Sequence, residues 1–363
     1  MEACLYSPRG GFYSTRAQRI STHFGTSSLS HPAFGALIAR QLEQMWHVLD
    51  EPRVFHLVEV GCGDGALAQS IVRACGQMAP RFAEALSYVA ADYAPRMPQA
   101  SDPIVDWDGV GAGTSGRPEA IPELQRVKTR GLSPFRNIVG CILSNELIDN
   151  FPVHRFVIRD GRVKEVFVTL AAGNLVETVD EPSSPLIEER IASLNLSLPD
   201  GYRGEVNLAL EDWTCQVSRA LDRGFVLTID YGEEAGALYS AGNQEGTLTC
   251  FHRHAVGNDP YQHIGQQDIT SHVDFTTLMQ LGERHGIATV GYALQRQFLT
   301  DLGFPSFLDR LEAQELSAAR KELTRMAMAA LVDPEDYGNL KVLAQAKGVG
   351  PRIELLGFAN KGT

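Results

Sequence analysis

The 363-residue chain lacks a Cys-x-x-Cys motif and has no long apolar run. Its six cysteines form no Cys-x-x-Cys pair, which argues against structural zinc and indicates reduced thiols in a cytosol-like compartment. No segment reaches roughly eighteen uninterrupted apolar residues, the length of a membrane span, and the N-terminus has no long apolar stretch of the signal-peptide kind. We therefore expect a soluble, cytoplasmic protein with no membrane partner.

Basic residues are outnumbered, at 32 against 44 acidic residues, and the formal net charge is -12. A negative surface repels the phosphates of nucleic acids unless basic residues cluster locally, and the sequence shows no such cluster. Nucleic acid is therefore not an expected partner. Hydrophobic residues make up 44% and charged residues 21%, as is typical of a folded chain, and the length allows one large domain or two.

Short apolar runs of the buried-strand type alternate with helical patterns, which predicts a doubly wound α/β sheet. Toward the C-terminus, two partly strand-like segments flank a helical stretch and predict a final antiparallel pair. The predicted strands cover 54–61, 86–93, 138–145 and 225–232, the helices 66–78, 208–223 and about 306–332, and the final pair 288–303 and 339–349.

Two regions interrupt this alternation and are expected to be insertions. In 154–200, Asp160-Gly161 stands between two β-type runs and predicts a hairpin turn. Residues 233–274 are rich in Gly, His and Gln and predict a long excursion above the sheet, while 110–122 is a Gly/Pro loop. The apolar-periodic helix 34–49 is expected either in the core or on a dimer surface, so a homodimer is one expectation.

The segment VEVGCGDGALAQSI (58–71) reads as a strand, a glycine-rich turn and the start of a helix. Gly61, Gly63 and Gly65 mark a ligand loop, because a tight turn that lets a ligand approach the backbone leaves no room for a Cβ. Cys62 lies within this loop and is counted among the cofactor-binding residues, where it is expected to pack as a small residue and not to act as a nucleophile. The glycines alone leave a dinucleotide open as the ligand.

Nearby acids favour a positively charged, zwitterionic cofactor over NAD. Asp64 lies inside the loop, where a pyrophosphate requires backbone N–H groups and no carboxylate. Glu59 precedes the loop and can accept from a cationic or amino-bearing ligand. The pattern Glu-x-Gly-x-Gly resembles motif I of class I S-adenosylmethionine-dependent methyltransferases. Asp92 ends the next strand and is expected to bind ribose hydroxyls, with capping of the following turn as the alternative.

Seven segments match a known family, and they are spread over most of the chain. They are CLYSPRGGFYS (4–14), FGTSSLSHPAFG (24–35), VEVGCGDG (58–65), SNELIDNFPVHRF (144–156), LTIDYG (227–232), GTLTCFHRH (246–254) and DITSHVDFTTL (268–278). On these segments the chain resembles the MidA family of class I S-adenosylmethionine-dependent methyltransferases. The mitochondrial members of that family act as assembly factors for respiratory complex I by methylating an arginine of one of its subunits.

The resemblance implies a Rossmann-like sheet, mostly parallel with a C-terminal antiparallel pair, and insertions that cover the active site. It also implies S-adenosylmethionine as cofactor and a lid over it that includes Tyr6, Tyr13, Phe24 and Thr26, with Thr26 among the cofactor-binding residues. The expected domains are an N-terminal lid and helix (1–50), the cofactor-binding half of the core (51–153), a β-rich insertion (154–207), a core helix and strand (208–232), a substrate-side insertion (233–285), and C-terminal core strands with a helical segment (286–363).

Predicted strand ends carry further candidates, because ligands of an open α/β sheet lie outside the carboxyl ends of its strands. We expect Gly61, Asp92 and Asn145 on the cofactor side, and Asp230 with Tyr231 on the substrate side. Asp230 could equally be a buried acid that caps a turn. Methyl transfer from a sulfonium is an in-line displacement that requires alignment and, where needed, removal of a proton, so no metal is expected.

Glu146 and Asp149 are candidates for holding a guanidinium, which stays protonated and pairs bidentately with carboxylates. The alternative is that both acids cap the turn after the strand. His154 is a candidate base or substrate contact, although a lone histidine beside a strand is as often a structural hydrogen bonder. His252 is a candidate substrate contact, and the histidines around it lack the spacing of a metal site.

Methylation of a protein arginine is therefore the leading function. A methyltransferase acting on a small molecule or peptide of a biosynthetic pathway is the alternative within the same chemistry. From other classes, an NAD-dependent oxidoreductase and a non-catalytic assembly factor stay open.

Overall fold

Two separate sets of strands organise the computed structural model, which describes residues 1–14, 26–93, 124–313, 316–350 and 353–359. The chain divides into two compact units. The core unit comprises Gly25–Glu146, Cys215–Asp230 and Gly282–Thr363, and the insert unit comprises Met1–Phe24, Leu147–Thr214 and Tyr231–Leu281. Phe24 and the Gly/Pro loop predicted at 110–122 lie outside the described residues.

The described ranges contain the following elements. The strands are β1 (Phe55–Val60), β2 (Leu86–Asp92), β3 (Leu124–Lys128), β4 (Ile138–Asn145), β5 (His154–Arg159), β6 (Arg162–Ala171), β7 (Asn174–Asp180), β8 (Arg203–Val206), β9 (Leu221–Asp230), β10 (Gly232–Glu233), β11 (Thr249–His252), β12 (Ala255–Gly257), β13 (Asp268–Thr270), β14 (Val273–Asp274), β15 (Ala288–Leu294) and β16 (Lys341–Lys347). The α-helices are α1 (Glu2–Tyr6), α2 (Ser27–Ser30), α3 (Ala33–Val48), α4 (Ala66–Met78), α5 (Pro80–Ala85), α6 (Pro185–Ser193), α7 (Ala209–Ala220), α8 (Ala235–Leu238), α9 (Phe275–Arg284), α10 (Gln295–Asp301), α11 (Phe304–Glu312) and α12 (Ala318–Ala330).

A seven-stranded sheet of order β15-β16-β9-β4-β1-β2-β3 forms the centre of the core unit. The five strands from β9 to β3 run parallel, and β16 pairs antiparallel with both β9 and β15. Strands β1, β4 and β9 are mostly buried, as near-continuous apolar runs predict for strands that are covered on both faces. The predicted sheet, mostly parallel with a C-terminal antiparallel pair, is confirmed.

Helix boundaries agree with the sequence pattern in some places and not in others. Helix α4 has the predicted bounds, but the helix predicted over 208–223 is too long, because α7 ends at Ala220 and β9 begins at Leu221. Strand pairing explains the difference, since Leu221 already pairs with Ile138 of β4. The helical stretch expected around 306–332 is two helices, α11 and α12.

Helix α3 packs into the core unit. Leu42, Met45 and Trp46 on its inner face are buried, and the Trp46 indole N–H donates to the carbonyl of Pro52 at 2.9 Å. Of the two sequence interpretations of this helix, the structure supports the core. No helix in the described ranges is long and apolar enough to cross a membrane.

The insert unit contains the antiparallel sheet β7-β6-β5-β8, the small sheet β12-β11-β13 and the short pair β10-β14. The turn between β5 and β6 is Asp160-Gly161, with φ of 52° and 69°, as a two-residue hairpin requires. The predicted hairpin is confirmed. The excursion predicted over 233–274 is not structureless, since it includes α8 and β10 to β14.

Two glycines allow the central strands of the core unit to approach closely. Gly140 of β4, with φ of 147°, lies between His56 of β1 and Gly224 of β9, which has φ of 144°. A Cβ on Gly140 would lie 2.1 Å from the carbonyl oxygen of His56, and a Cβ on Gly224 would lie 2.0 Å from that of Gly140. A side chain at either position would therefore force the strands apart.

The substitution Gly140→Ala is expected to lower the free energy of unfolding by roughly 2–4 kcal/mol, because the new Cβ overlaps backbone and alanine is strained at positive φ. Denaturant titration measures the change. Gly350→Ala is the control, since a Cβ at Gly350 meets no atom within 4 Å. Equal stability of Gly140→Ala and the wild type would contradict the close approach.

Candidate active site

The register of the core sheet brings the predicted strand ends to one edge. Val60 of β1 pairs with Ala91 of β2 on one side and with Ser144 of β4 on the other. Asn145 of β4 pairs with Ile229, one residue before Asp230. The residues that follow β1 and end β2, β4 and β9 therefore lie along the same edge of the core unit.

The glycine loop after β1 adopts a backbone that only glycine takes easily. Gly61, Gly63 and Gly65 have φ of 79°, 53° and 82°. The Gly61 N–H donates to the carbonyl of Ala91 at 2.8 Å, which ties the start of the loop to β2. A Cβ on Gly65 would lie 2.4 Å from a guanidinium nitrogen of Arg126. Because glycine has no Cβ, these three positions do not obstruct a ligand that approaches the loop, as a ligand-binding loop requires.

Two acids hold this loop in place. Asp92, at the end of β2, accepts a hydrogen bond from the Gly63 N–H at 2.9 Å. Asp64 accepts from the Ala66 N–H at 3.0 Å and so satisfies a backbone donor in the first turn of α4. Neither contact was visible in the sequence pattern. The ribose-binding role of Asp92 stays a prediction.

Glu59 is a buried acid next to the loop. Its side chain is 3% exposed and accepts a hydrogen bond from the hydroxyl of Tyr88 at 2.8 Å. Burial raises the pKa of Glu59 to about 7, and the Tyr88 hydrogen bond offsets only part of that rise. The negative charge of Asp92 raises this pKa further, and Arg126 lowers it. Ionised Glu59 would therefore be stabilised by a cation bound beside it.

Tyr88 and Cys62 complete the surroundings of Glu59. Sequence reasoning missed Tyr88, although it stands two residues before Ala90, the β2 partner of Glu59, so strand alternation places it on the same face. Burial raises the pKa of the Cys62 thiol well above its ordinary value, so the thiolate is disfavoured. This agrees with Cys62 as a packing residue.

Glu146 connects the tip of β4 to the segment that begins α2. Its Oε1 accepts from the Ser27 N–H at 3.0 Å, the Ser27 hydroxyl at 3.0 Å and the Asn145 side-chain amide at 3.1 Å. Ser27 is fully buried, and its neighbour Thr26 lies with its hydroxyl 2.8 Å from that of Ser28. Glu146 itself has φ of 49°. Its carboxylate is thus fixed in direction, and no sequence signal had marked Ser27 as the residue that fixes it.

Asp149 lies in the 3₁₀ turn Ile148–Asn150 of the insert unit and is 5% exposed. Its carbonyl oxygen accepts from the Ser271 N–H at 2.9 Å. Glu146 belongs to the core unit and Asp149 to the insert unit. Binding of one guanidinium by both acids therefore stays a prediction.

The histidine candidates of the insert unit have structural partners. The Nδ1 of His154 lies 2.7 Å from Oε1 of Glu165, whose other oxygen accepts from the Ser183 N–H at 2.6 Å. The Nδ1 of His252 lies 2.9 Å from the carbonyl of Gln266, and its ring stacks on another imidazole, that of His263, with centroids 4.1 Å apart. Both remain candidates, with one ring nitrogen of each already engaged.

The remaining predicted residues are placed as follows. Asp230 is fully buried at the end of β9, and the carbonyl of Tyr231 accepts from the Val273 N–H at 2.9 Å. Tyr6 and Tyr13, predicted as lid residues, direct their hydroxyls to Asn150 of the insert unit. Their placement over the cofactor stays a prediction.

A family model described as "Putative S-adenosyl-L-methionine-dependent methyltransferase" matches residues 37–293 of this chain. The chain belongs to this family. Its activity is methyl transfer, and its cofactor is S-adenosylmethionine. The core unit fits that cofactor, because the three left-handed glycines present no Cβ that would obstruct a ligand and Glu59 is a buried acid that a cationic ligand would stabilise.

Relatives of known name agree with the family. The chain is 26% identical to the Drosophila melanogaster protein named "Protein arginine methyltransferase NDUFAF7 homolog, mitochondrial", over 96% of this chain and 80% of that protein. It is 24% identical to the Danio rerio protein named "Protein arginine methyltransferase NDUFAF7, mitochondrial", over 93% and 80% of the two chains. The resemblance to the MidA family that the seven segments indicated is confirmed.

A solved structure gives the same result. The crystal structure of a COG1565 superfamily member from Burkholderia thailandensis, bound to S-adenosylhomocysteine, is similar to this chain with a TM-score of 0.81 and 25% identity. The match covers 99% of this chain and 88% of that one. Nearly the full length of this methyltransferase, including its insertions, therefore has the fold of a solved relative.

Affinity for S-adenosylhomocysteine is expected to rise with pH up to about 7 and then level off. Without ligand, Glu59 has a pKa of about 7, and an ammonium group bound beside it would favour the ionised carboxylate. Below that pKa a proton must leave Glu59 on binding, which weakens the affinity by up to about tenfold per pH unit. Calorimetric titration from about pH 5 to about pH 8 measures this dependence, and the range brackets the ordinary and the raised pKa of a glutamate.

Glu59→Gln should remove the dependence on pH, because a neutral amide cannot titrate. Glu84→Gln is the matched control, since Glu84 is an exposed acid on α5. The same slope in Glu59→Gln and in the control would show that another group is responsible.

Proposed function

We propose that this methyltransferase acts on an arginine side chain of a protein. The observation that carries the proposal is the Glu146 carboxylate at the tip of β4, on the same sheet edge as the glycine loop. Ser27 and Asn145 fix the direction of this carboxylate through three hydrogen bonds. A guanidinium would meet a negatively charged acceptor of fixed direction there, and hydrogen bonds between two charged groups are among the stronger ones in proteins.

The names of the relatives support the acceptor class. The Drosophila and zebrafish proteins are both named protein arginine methyltransferases, and the chain matches about four fifths of each. A small molecule or peptide as acceptor is the outcome that would replace this proposal. A homodimer and a cytoplasmic location stay predictions, the latter supported by six free cysteines.

In the proposed reaction the protein's residues orient the acceptor and accept a proton. S-adenosylmethionine supplies the methyl group as an electrophilic carbon on a sulfonium. Glu146, with Asp149 three residues later in the chain, orients the guanidinium and holds positive charge away from the attacking nitrogen. Formation of the new N–C bond would break the methyl–sulfur bond and release S-adenosylhomocysteine, and the attacking nitrogen would lose a proton. His154 is the candidate acceptor through Nε2, because Glu165 engages its Nδ1. Asp230, Tyr231 and His252 are the proposed acceptor contacts.

Incubation of the purified protein with methyl-labelled S-adenosylmethionine and a cell lysate tests the proposal. We expect label in the protein fraction, and methylarginine on acid hydrolysis of that fraction. Glu146→Gln and Asp149→Asn should reduce transfer by at least about tenfold while S-adenosylhomocysteine still binds, because each loses one charge-assisted contact to the acceptor.

Glu84→Gln is again the control and should transfer normally. Label confined to small molecules would replace the proposed acceptor. Full turnover by both acid variants would contradict the role given to Glu146 and Asp149.

A further inference from the structure

The N-terminal segment of the insert unit packs onto the turn that carries Asp149. Leu5 and Phe12 are buried in a small apolar cluster with Cys250 and Ile269, which anchors residues 1–14 to this unit. The rings of Tyr6 and Tyr13 stack with centroids 5.7 Å apart. The segment is thus held by apolar contacts, and these contacts place two tyrosine hydroxyls at the turn Ile148–Asn150.

Both tyrosines and Asp268 contact Asn150, the residue after Asp149. The Tyr6 hydroxyl donates to the carbonyl of Asn150 at 3.2 Å. The Tyr13 hydroxyl lies 3.1 Å from Oδ1 of Asn150 and 3.0 Å from Oδ1 of Asp268. The Asn150 amide donates to that same Asp268 oxygen at 3.1 Å and to the carbonyl of Ile269 at 3.2 Å. Three parts of the chain that are far apart in sequence therefore meet at Asn150.

The hydroxyl hydrogen of Tyr13 has two possible acceptors. The Tyr13 hydroxyl has one hydrogen but faces two acceptor oxygens, one on Asn150 and one on Asp268. Burial raises the pKa of Asp268 to about 6, and hydrogen bonds from Tyr13, the Ile269 N–H and Asn150 lower it, so Asp268 is mainly ionised near neutral pH. Its Oδ1 then accepts all three hydrogen bonds. The Tyr13 hydrogen therefore points to Asp268, because a hydrogen bond to a charged acceptor is the stronger one.

We propose that Tyr13 and Asp268 are positioning residues for the methyl acceptor, which act by holding the turn Ile148–Asn150 and with it Asp149. The inference rests on the proposed function, because it gives Asp149 a role in binding the acceptor. It assigns the N-terminal segment a purpose that differs from a cover over the cofactor: the segment sets the geometry of an acceptor-binding acid. The main-chain carbonyl of Asp149 also accepts from the Ser271 N–H.

Three variants separate positioning from general stability. Tyr13→Phe removes only the hydroxyl. Asp268→Ala removes the acceptor oxygens, whereas Asp268→Asn keeps a neutral oxygen that takes the place of Oδ1 and accepts from Tyr13, Asn150 and the Ile269 N–H. Tyr261→Phe is the matched control, because it deletes a tyrosine hydroxyl elsewhere in the insert unit, one that donates to Glu177.

Methyl-label transfer to total lysate protein, measured at increasing protein concentration, gives the half-saturating acceptor concentration and the maximal rate. We expect Tyr13→Phe and Asp268→Ala to raise the half-saturating concentration by about fivefold to tenfold, as loss of a buried hydrogen bond predicts, with the maximal rate and S-adenosylhomocysteine affinity within about twofold of wild type. Asp268→Asn should restore most of the loss. An unchanged half-saturating concentration in Tyr13→Phe, or a loss equal to that of Tyr261→Phe, would overturn the inference.

Hydrogen exchange of the amides at 150 and 151, which close the turn, separates this inference from the proposed function. Faster exchange in Tyr13→Phe than in Tyr261→Phe supports the claim that Tyr13 holds the turn Ile148–Asn150. Equal exchange overturns that claim, whatever the acceptor. If the wild type labels no protein arginine, the proposed function fails, and the positioning role for the acceptor fails with it. This holds even where hydrogen exchange shows that Tyr13 holds the turn.

Discussion

A buried carboxyl group at Glu59 is the constraint on which the cofactor site depends. An ionised carboxylate in an apolar interior is costly unless hydrogen bonds or an opposite charge compensate it, and Tyr88 supplies one hydrogen bond. The pKa of about 7 shows that this compensation is incomplete. A zwitterionic cofactor with an ammonium and a sulfonium brings the missing positive charge, whereas a pyrophosphate would add negative charge beside Glu59, Asp64 and Asp92. Electrostatics and the glycine loop thus favour the same cofactor.

A second acid, Glu146, is the proposed contact of the methyl acceptor. Its carboxylate is directed by Ser27 and Asn145, so the beginning of α2 and the end of β4 depend on one another. In the insert unit, the turn that carries the other candidate acid, Asp149, is hydrogen-bonded through Asn150 to Tyr13 and to Asp268. The glycine loop, Glu146 and Asp149 are therefore each held by different contacts. A substitution in one support should change one binding function and spare the other.

Sequence patterns predicted β1, β2, β4 and the hairpin well, because the period of the side chains and the chemistry of turns are local properties. They missed the edge strand β3 and the first four residues of β9. The apolar run at 138–145 has the bounds of β4, and Asp160-Gly161 forms the turn it indicates. The helix predicted over 208–223 was too long because pairing of Leu221 with β4 is a tertiary effect. Contacts such as that of Tyr13 with Asp268, or Ser27 with Glu146, join residues more than one hundred positions apart. Only packing brings these side chains together, so no local pattern contains them.

The most direct test of this account is a pair of calorimetric titrations of the wild-type protein at about pH 8, above the raised pKa of Glu59, one with S-adenosylhomocysteine and one with NAD. The account predicts that S-adenosylhomocysteine binds at a single site per chain and that NAD does not bind. Binding of NAD without binding of S-adenosylhomocysteine would contradict it.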